Sequence, residues 1–277
     1  MKSRSKGENA HMLAVTTGAS SGLGAAFARK LGARGYDLLL VARRKDRLEA
    51  IAHEIGAQYQ VQTEILVADL TDDAALARVA ARVREAADLG LLVNNAGFGT
   101  LGYFFDADPH GQEQMHRLHV LATLRLSHAA LGNLVPRAKA GTGIINVSSV
   151  AAYGASPQNV SYCATKTWMN RFTEGLAIEL GAKSSPVTVQ ALCPGFTLTE
   201  FQDTMGMKRS AIPASLWMPA DFVVEESLRG FDRRTLFVIP GWRYKLLAWM
   251  MKLVPSGLMR SVSVRAAQRY KQPKTTG

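Results

Sequence analysis

Short apolar runs alternate with longer amphipathic patterns from residue 13 to residue 239. Short β-branched or leucine-rich runs are typical of buried strands, whereas apolar residues that recur every three or four positions indicate helices. Because the two patterns alternate strictly, we expect right-handed crossovers and a doubly wound α/β fold, with a mostly parallel sheet covered by helices on both faces. The predicted strands are residues 13–17, 37–41, 63–67, 91–94, 143–148, 187–192 and 235–239, and the predicted helices are residues 23–33, 45–55, 72–87, 111–135, 162–180 and 221–230.

The flanking segments do not follow this alternation. Residues 1–12 are polar, lack the apolar run of a signal peptide, and are expected to be a leader outside the fold. Residues 13–241 are expected to form a single catalytic domain, since α/β folds of this size are commonly single. Within that domain, residues 200–218 are expected to be a flap over the site. Residues 242–277 are expected to be a basic, apolar C-terminal extension.

The formal charge of +11 is concentrated at the C-terminal end. Ten Lys and Arg residues and no Asp or Glu follow Asp232, whereas the rest of the chain carries 23 basic and 22 acidic residues. The fold itself therefore has no basic stripe, which argues against nucleic-acid binding as its main function. The chain has two cysteines, Cys163 and Cys193, which predicts a reducing, cytoplasmic compartment rather than a disulfide framework.

A glycine-rich string, Thr-Gly-Ala-Ser-Ser-Gly-Leu-Gly at residues 17–24, joins the first predicted strand to the first predicted helix. Glycine lets the backbone approach a diphosphate, and the helix N-terminus offers its free N–H groups and dipole to the anion. A tight turn with glycines for geometry alone is the alternative, but a dinucleotide site belongs in the first strand–helix turn. The expected contacts are Gly18, Ser20, Ser21, Gly22, Leu23 and Gly24.

Tyr162 and Lys166 are four residues apart on one predicted helix, so both side chains lie on one face. Tyrosine has an ordinary pKa of about 10, and a neighbouring ammonium is expected to lower it. An amphipathic pair without chemistry is the alternative. Together with a dinucleotide turn, however, the pair predicts hydride chemistry on a carbonyl or alcohol. In the reductive direction Tyr162 would be the acid, and Ser149 would donate a hydrogen bond to the substrate oxygen.

Further strings follow these two in order: Asp69-Leu70, Asn94-Asn95-Ala96-Gly97, Ser148-Ser149, and Pro-Gly-Phe-Thr-Leu-Thr at residues 194–199. The series resembles the short-chain dehydrogenase/reductase family over about residues 13–239. The resemblance implies a Rossmann-like, seven-stranded sheet, an oxidoreductase, and a homodimer or homotetramer. It implies catalysis by Ser149 rather than Ser148, and Lys166 on the nicotinamide ribose. The other coenzyme contacts that it implies are Asp69, Leu70, Asn95, Ala96, Gly97, Tyr162, Pro194, Gly195, Thr197 and Thr199.

Two arginines, Arg43 and Arg44, directly follow the second predicted strand. An acidic residue at this place would bind the ribose hydroxyls of NAD, whereas arginine suits the 2′-phosphate of NADP. A solvated charge run that opens a helix is the alternative, although cations oppose the dipole there. We therefore predict NADP, or NADPH, as the coenzyme, with Arg43 as the main contact and Arg44 as its helper.

His119 stands where many relatives carry an asparagine that anchors a proton relay to the lysine. Its imidazole could take part in such a relay, or it could be a helix histidine bonded to a neighbouring carbonyl without a catalytic part. Both interpretations are open. His116 lies three positions earlier, but no Glu or Cys completes a ligand set nearby, so no metal site is predicted.

Apolar residues occupy the segments that should face the substrate, which predicts a hydrophobic carbonyl or alcohol as the small-molecule partner. Any one of them could equally be part of the core. A protein that keeps the fold and has lost turnover, acting as a coenzyme sensor or scaffold, is the alternative function. The expected substrate contacts are Phe98, Val150, Tyr153, Phe196, Phe201 and Met205.

Residues 242–254 are apolar nearly all round, apart from Arg243, Lys245 and Lys252, and are too few to span a bilayer. A helix that packs on the substrate pocket or on another subunit is the favoured interpretation. A cationic segment with Trp and Leu could alternatively lie on an anionic membrane surface, as part of a membrane-associated lipid ketoreductase.

Overall fold

The computed structural model describes residues 12–201, 205, 210, 212–254 and 256–269. The predicted leader lies outside the described residues except for Met12, which is 5% exposed and belongs to the hydrophobic core. Met12, the last residue of the predicted leader, thus packs with the core. Residues 202–204, 206–209 and 211 of the predicted flap also lie outside the described residues. So do residue 255 and the last eight residues of the predicted extension.

Seven strands form one parallel sheet, which confirms the predicted fold class. In chain order the strands are β1 (Leu13–Thr17), β2 (Asp37–Ala42), β3 (Thr63–Val67), β4 (Leu89–Asn94), β5 (Gly143–Val147), β6 (Thr188–Leu192), β7 (Thr197–Leu198), β8 (Met218–Pro219) and β9 (Phe237–Val238). Seven of them pair in the order β3-β2-β1-β4-β5-β6-β9, and β7 pairs with β8 in a separate parallel ladder. The winding reverses between β1 and β4, and ligand crevices of such sheets lie outside the carboxyl ends of the strands at this place.

Nine α-helices connect or follow the strands in the described part of the chain. Helix α3 (Asp73–Glu85) is capped by Asp72, whose carboxylate accepts from the Ala75 N–H at 2.7 Å. Helix α4 (Pro109–His116) is followed by a π-helical segment, Arg117–Ala122, which leads directly into α5 (Thr123–Arg137). The helices are α1 (Gly22–Ala33), α2 (Lys45–Tyr59), α3 (Asp73–Glu85), α4 (Pro109–His116), α5 (Thr123–Arg137), α6 (Val160–Ala182), α7 (Ala220–Asp232), α8 (Trp242–Leu253) and α9 (Ser256–Arg269).

Both faces of the sheet are buried, because helices cover each of them. Alternate residues of β1 therefore enter different clusters: Ala14 packs with α1, whereas Val15 packs with α3. Phe27 in α1 and Val79 in α3 are completely buried at the centres of these two layers. Among the described helices, none has both the length and the apolar character needed to cross a membrane.

Candidate active site

A cavity of about 590 Å³ lies at the carboxyl ends of the central strands. The residues that directly follow β1 to β5 contribute to its walls, as does Pro194, two residues after the end of β6. The cavity brings together every residue that the sequence predicted as a coenzyme, catalytic or substrate contact, except Gly24, His119 and Tyr153. Residues more than 170 positions apart in the chain thus share one crevice, as the topology of the sheet requires.

The glycine turn cannot accept side chains at two of its positions. Gly18 has φ +65°, and a Cβ there would lie 2.9 Å from the Ala96 Cα. A Cβ on Gly24 would lie 2.1 Å from the Gly18 carbonyl oxygen, so a glycine here lets the turn pack closely on α1. Gly24 itself does not line the cavity. The turn leads into the N-terminus of α1, whose N–H groups face an anion placed in the crevice.

Thr17 joins this turn to the loop after β4. Its hydroxyl accepts hydrogen bonds from the N–H groups of Asn95 and Ala96, both at 3.0 Å, and donates to the Val93 carbonyl at 3.3 Å. The Asn95 amide donates back to the Thr17 carbonyl at 2.9 Å. The backbone around the crevice is therefore held in place by side chains of the two strings that flank it.

Tyr162 is half-buried at the cavity wall, beside Ser149. Burial raises the pKa of Tyr162 to about 12, against a smaller lowering by its hydrogen bond with the Ser149 side chain. The expected net lowering of this pKa is therefore wrong for the protein without coenzyme, because desolvation of the phenolate dominates. The two serines differ: the Ser148 hydroxyl donates to the Lys166 carbonyl at 3.1 Å, whereas the Ser149 hydroxyl accepts from the Ala151 N–H at 3.1 Å.

Lys166 is almost completely buried, and its Nζ donates to the Val147 carbonyl at 2.8 Å. Burial lowers the pKa of Lys166 to about 7, since an ammonium is costly to desolvate. The Nζ atom lies 5.7 Å from the centroid of the Tyr162 ring. An amine that titrates near neutrality is thus placed beside the phenol.

His119 lies inside the π-helical segment and is completely buried. Its Nε2 accepts from the Phe98 N–H at 3.2 Å, which assigns the ring proton to Nδ1, 2.9 Å from the Thr165 hydroxyl. Burial, together with the nearby charge of Lys166, holds the pKa of His119 well below its usual range. The imidazole is therefore neutral, and both of its nitrogens are bonded within the protein.

The two arginines after β2 lie in different environments. The Arg44 guanidinium donates to the Ser21 hydroxyl at 2.7 Å and to the Glu200 carboxylate at 3.0 Å. The Arg43 side chain is 75% exposed and lies 3.6 Å from the Asp69 carboxylate. Arg44 is thus bonded to the glycine turn, whereas Arg43 extends over the rim of the cavity.

Five of the six predicted substrate contacts, all except Tyr153, line the cavity. The structure does not place Tyr153 on the cavity wall: it ends the 3₁₀ turn Val150–Tyr153, and its hydroxyl donates to the Cys193 Sγ at 3.7 Å. Of the other apolar residues, Phe201 lies 5.9 Å from Tyr162, measured between ring centroids. The wall next to the phenol is therefore apolar.

Helix α8 supplies wall residues that the motif analysis missed. Leu247 and Met251 line the cavity, although they lie beyond the predicted domain boundary at residue 241. The Tyr244 hydroxyl fixes the helix by accepting from the Phe196 N–H at 3.0 Å and donating to the Leu216 carbonyl at 2.7 Å. The one signal for this role was the apolar character of residues 242–254, which favoured packing on the pocket.

The family described as short chain dehydrogenase matches residues 12–210, more than two thirds of the chain. The chain belongs to the short-chain dehydrogenase family. Short-chain dehydrogenases are oxidoreductases that bind a nicotinamide dinucleotide, and this cavity fits one, because its glycine turn leaves no room for a Cβ at Gly18 beside a helix N-terminus. The family relationship confirms the recognition made from the motifs, at the level of family and reaction class.

Two relatives within the short-chain dehydrogenase family differ in activity. The chain is 32% identical over 192 residues to the very-long-chain 3-oxoacyl-CoA reductase of Anas platyrhynchos, covering 68% of this chain and 60% of the relative. It is 29% identical over 188 residues to the inactive hydroxysteroid dehydrogenase-like protein 1 of Homo sapiens, covering 67% and 56%. The chain thus spans less than two thirds of the length of both relatives.

Two solved short-chain dehydrogenase structures cover almost the whole chain. The short-chain dehydrogenase from Sphingobium yanoikuyae in complex with NADPH is 33% identical with a TM-score of 0.79, covering 96% of this chain and 98% of that one. The bulky-bulky ketone specific alcohol dehydrogenase from Comamonas testosteroni is 28% identical with a TM-score of 0.75, covering 96% of both chains.

Proposed function

We propose that this short-chain dehydrogenase is an NADP(H)-dependent reductase of apolar carbonyl compounds. One observation carries the proposal: Ser149, Tyr162 and Lys166 line the same cavity as the glycine turn of residues 18–24. A dinucleotide cradle and an acid that face one crevice are the two parts that hydride chemistry on a carbonyl requires.

Tyr162 is the proton donor of the reduction. With a pKa raised to about 12, its phenol carries a proton at neutral pH and is present as the acid. A bound nicotinamide coenzyme supplies the hydride for the carbonyl carbon. As the C=O π bond breaks, Tyr162 gives its proton to the oxygen, and Ser149 donates a hydrogen bond to the same atom. Lys166 stabilises the phenolate that remains, through its adjacent ammonium.

His119 acts by positioning and does not relay protons. Its ring joins the Phe98 backbone to the Thr165 hydroxyl, and Thr165 is the neighbour of Lys166 and donates to the Tyr162 carbonyl at 2.9 Å. The loop after β4 and the helix that carries the acid are thereby linked. Since both nitrogens are already bonded, a relay would require one of these bonds to break.

The environment of the arginines supports NADP. Arg43 is exposed and makes one long ion pair among the described residues, so its guanidinium donors can reach a 2′-phosphate. The donors of Arg44 are directed to the glycine turn and Glu200, which makes Arg44 a support for the turn. The relative from Sphingobium yanoikuyae, whose structure contains NADPH, adds to the case.

The coenzyme assignment is tested by the dissociation constants of NADPH and NADH for Arg43→Ala and Arg44→Ala. Arg43→Ala should raise the dissociation constant of NADPH by roughly tenfold or more, because it removes one charge-assisted contact. The dissociation constant of NADH should change by less than about threefold. Arg44→Ala should weaken the binding of both coenzymes, because it loosens the glycine turn, which both coenzymes contact. Equal losses for both coenzymes with Arg43→Ala would contradict the assignment to NADP.

The walls around Tyr162 favour a bulky apolar ketone. Phe98, Phe196, Phe201, Leu247 and Met251 line the same cavity as Tyr162, and the Phe201 ring lies next to the phenol. Such a surface binds by exclusion of water and offers few polar contacts to a charged substrate. The two relatives that act on bulky ketones and on 3-oxoacyl thioesters define the first panel of substrates, to be followed by loss of NADPH absorbance.

A coenzyme-binding protein without turnover is the second candidate. It is favoured by the 29% identity to the human relative described as inactive. The presence of Ser149, Tyr162 and Lys166 in one cavity favours the enzyme. The panel separates the two: NADPH binding without consumption on any ketone, aldehyde or thioester would support the second candidate.

The mechanism is tested by Tyr162→Phe. We expect a loss of turnover of roughly 10²- to 10⁴-fold, the usual contribution of a general acid, with the affinity for NADPH nearly unchanged. Tyr153→Phe is the matched control, because its hydroxyl faces Cys193 rather than the cavity, and it should retain turnover within about threefold. Unaltered turnover in Tyr162→Phe would refute the mechanism.

A further inference from the structure

Helix α8 has two apolar faces with different environments. Its inner face is packed: Tyr244 and Ala248 are buried, and Met251 approaches Gly154 so closely that a Cβ there would lie 2.2 Å from the methionine methyl group. This face fixes the helix to the wall of the cavity. The outer face is not part of the core.

The outer face of α8 exposes large apolar side chains to water. Trp242 is 69% exposed, Trp249 60% and Leu253 62%, and Leu246 and Met250 are also exposed. Their spacing of three or four residues places all five on one stripe along the helix. We call Trp242, Leu246, Trp249, Met250 and Leu253 the outer stripe. A contiguous exposed stripe with two tryptophans is a typical contact surface rather than ordinary solvent-facing structure.

Two exposed cations of the same helix, Arg243 and Lys245, flank the outer stripe. No acidic residue follows Asp232 in the sequence. A symmetric contact between two copies of this face would place these cations against one another, which is unfavourable. The charge therefore requires a partner surface that is both apolar and anionic.

We propose that the outer stripe binds the surface of an anionic lipid bilayer, with its aromatic and aliphatic side chains in the interface and the neighbouring cations on the headgroups. Tryptophan prefers the level of the headgroups, and a cationic helix with one apolar face is the form that lies in that plane. The inference stands on α8 alone and does not depend on the reaction proposed above.

This arrangement places the bilayer beside the cavity. Leu247 and Met251, which line the cavity, belong to the same helix as the outer stripe. A helix with its side chains is about 10 Å wide, so this wall of the cavity would lie within that distance of the lipid. Apolar substrates that partition into membranes would then enter beside the surface that concentrates them.

The proposal is tested by co-sedimentation of the full-length protein with sucrose-loaded vesicles of phosphatidylcholine, with and without about 30 mol% phosphatidylserine. We expect at least tenfold tighter binding to the anionic vesicles, and loss of that preference at about 0.5 M salt. Trp249→Ser/Leu253→Ser should lower binding at least tenfold. Ile178→Ser is the matched control, since Ile178 is 68% exposed on α6, and this variant should bind like the wild type.

Three outcomes would overturn the proposal. Equal binding to neutral and anionic vesicles would remove the role of the cations. If the wild-type protein binds neither kind of vesicle, the outer stripe would instead fit an acidic protein surface. A dimer that dissociates in Trp249→Ser/Leu253→Ser, with no lipid binding by the wild type, would assign the face to a second copy. Circular dichroism and NADPH binding of the variant show that it is folded.

Discussion

Replacement of His119 by asparagine should remove a pH dependence of stability. The buried ring is neutral in the folded protein, where its pKa lies well below the usual range. In the unfolded chain the imidazole has an ordinary pKa of about 6.5 and gains a proton as the pH falls. The unfolded state then binds more protons than the folded state, so the stability that His119 contributes is lost below about pH 6.5.

The size of this effect follows from linkage. Between pH 7.5 and pH 5.5, a histidine that titrates at about 6.5 when unfolded and stays neutral when folded costs about 1.4 kcal/mol of unfolding free energy. His119→Asn abolishes this part. The variant also loses hydrogen bonds to Phe98 and Thr165, each contributing about 1 kcal/mol, and this loss is the same at each pH.

The assay is urea unfolding of the coenzyme-free protein at pH 7.5, 6.5 and 5.5. The unfolding free energy of the wild type should exceed that of His119→Asn at pH 7.5, and the difference should shrink by about 1.4 kcal/mol at pH 5.5. The control is His116→Asn, because His116 is exposed on the same helical stretch. A difference that does not change with pH would refute the assignment of a neutral, fully bonded ring.

Two further predictions concern the coenzyme site and the wall beside it. Glu200→Gln should increase the affinity for NADPH up to about fivefold and leave the affinity for NADH nearly unchanged, because it removes an exposed negative charge paired with Arg44. Titration with each coenzyme measures the two affinities, and equal changes in both would contradict the prediction. Gly195→Ala should lower the unfolding free energy by about 2–4 kcal/mol, because its Cβ would lie 2.1 Å from the Tyr244 ring. Denaturant unfolding measures the effect of Gly195→Ala. If the unfolding free energy of a Gly195→Ala/Tyr244→Ala double variant falls by the full sum of the two single effects, the result would argue against the clash.

The fold was predictable because its signals are local. Buried parallel strands appear as continuous apolar runs, and each of the seven predicted runs overlaps one observed strand of the central sheet. The edges differ by a few residues: β9 occupies only Phe237–Val238 of the predicted 235–239. A strand at the edge of the sheet has one neighbour, so its length is decided by pairing that periodicity does not report.

The motifs predicted the shared cavity, whereas environments within it required the structure. The pKa of Tyr162 depends on how much water reaches the phenol, and no spacing rule reports that. The direction of Tyr153 depends on a 3₁₀ turn, and the role of Leu247 depends on how α8 docks. His119 faces inward because a π-helical segment shifts the helical register at that point.

The short ladder of β7 with β8 pins both ends of the segment from residue 199 to residue 217. Thr197 pairs with Met218 there, and the ends stay adjacent whatever lies between them. The entropy of closing a loop grows slowly, by about 0.6 kcal/mol for each doubling of its length. Segments of other lengths and compositions could therefore be grafted between these strands, giving a family of enzymes with one chemistry and interchangeable substrate ranges.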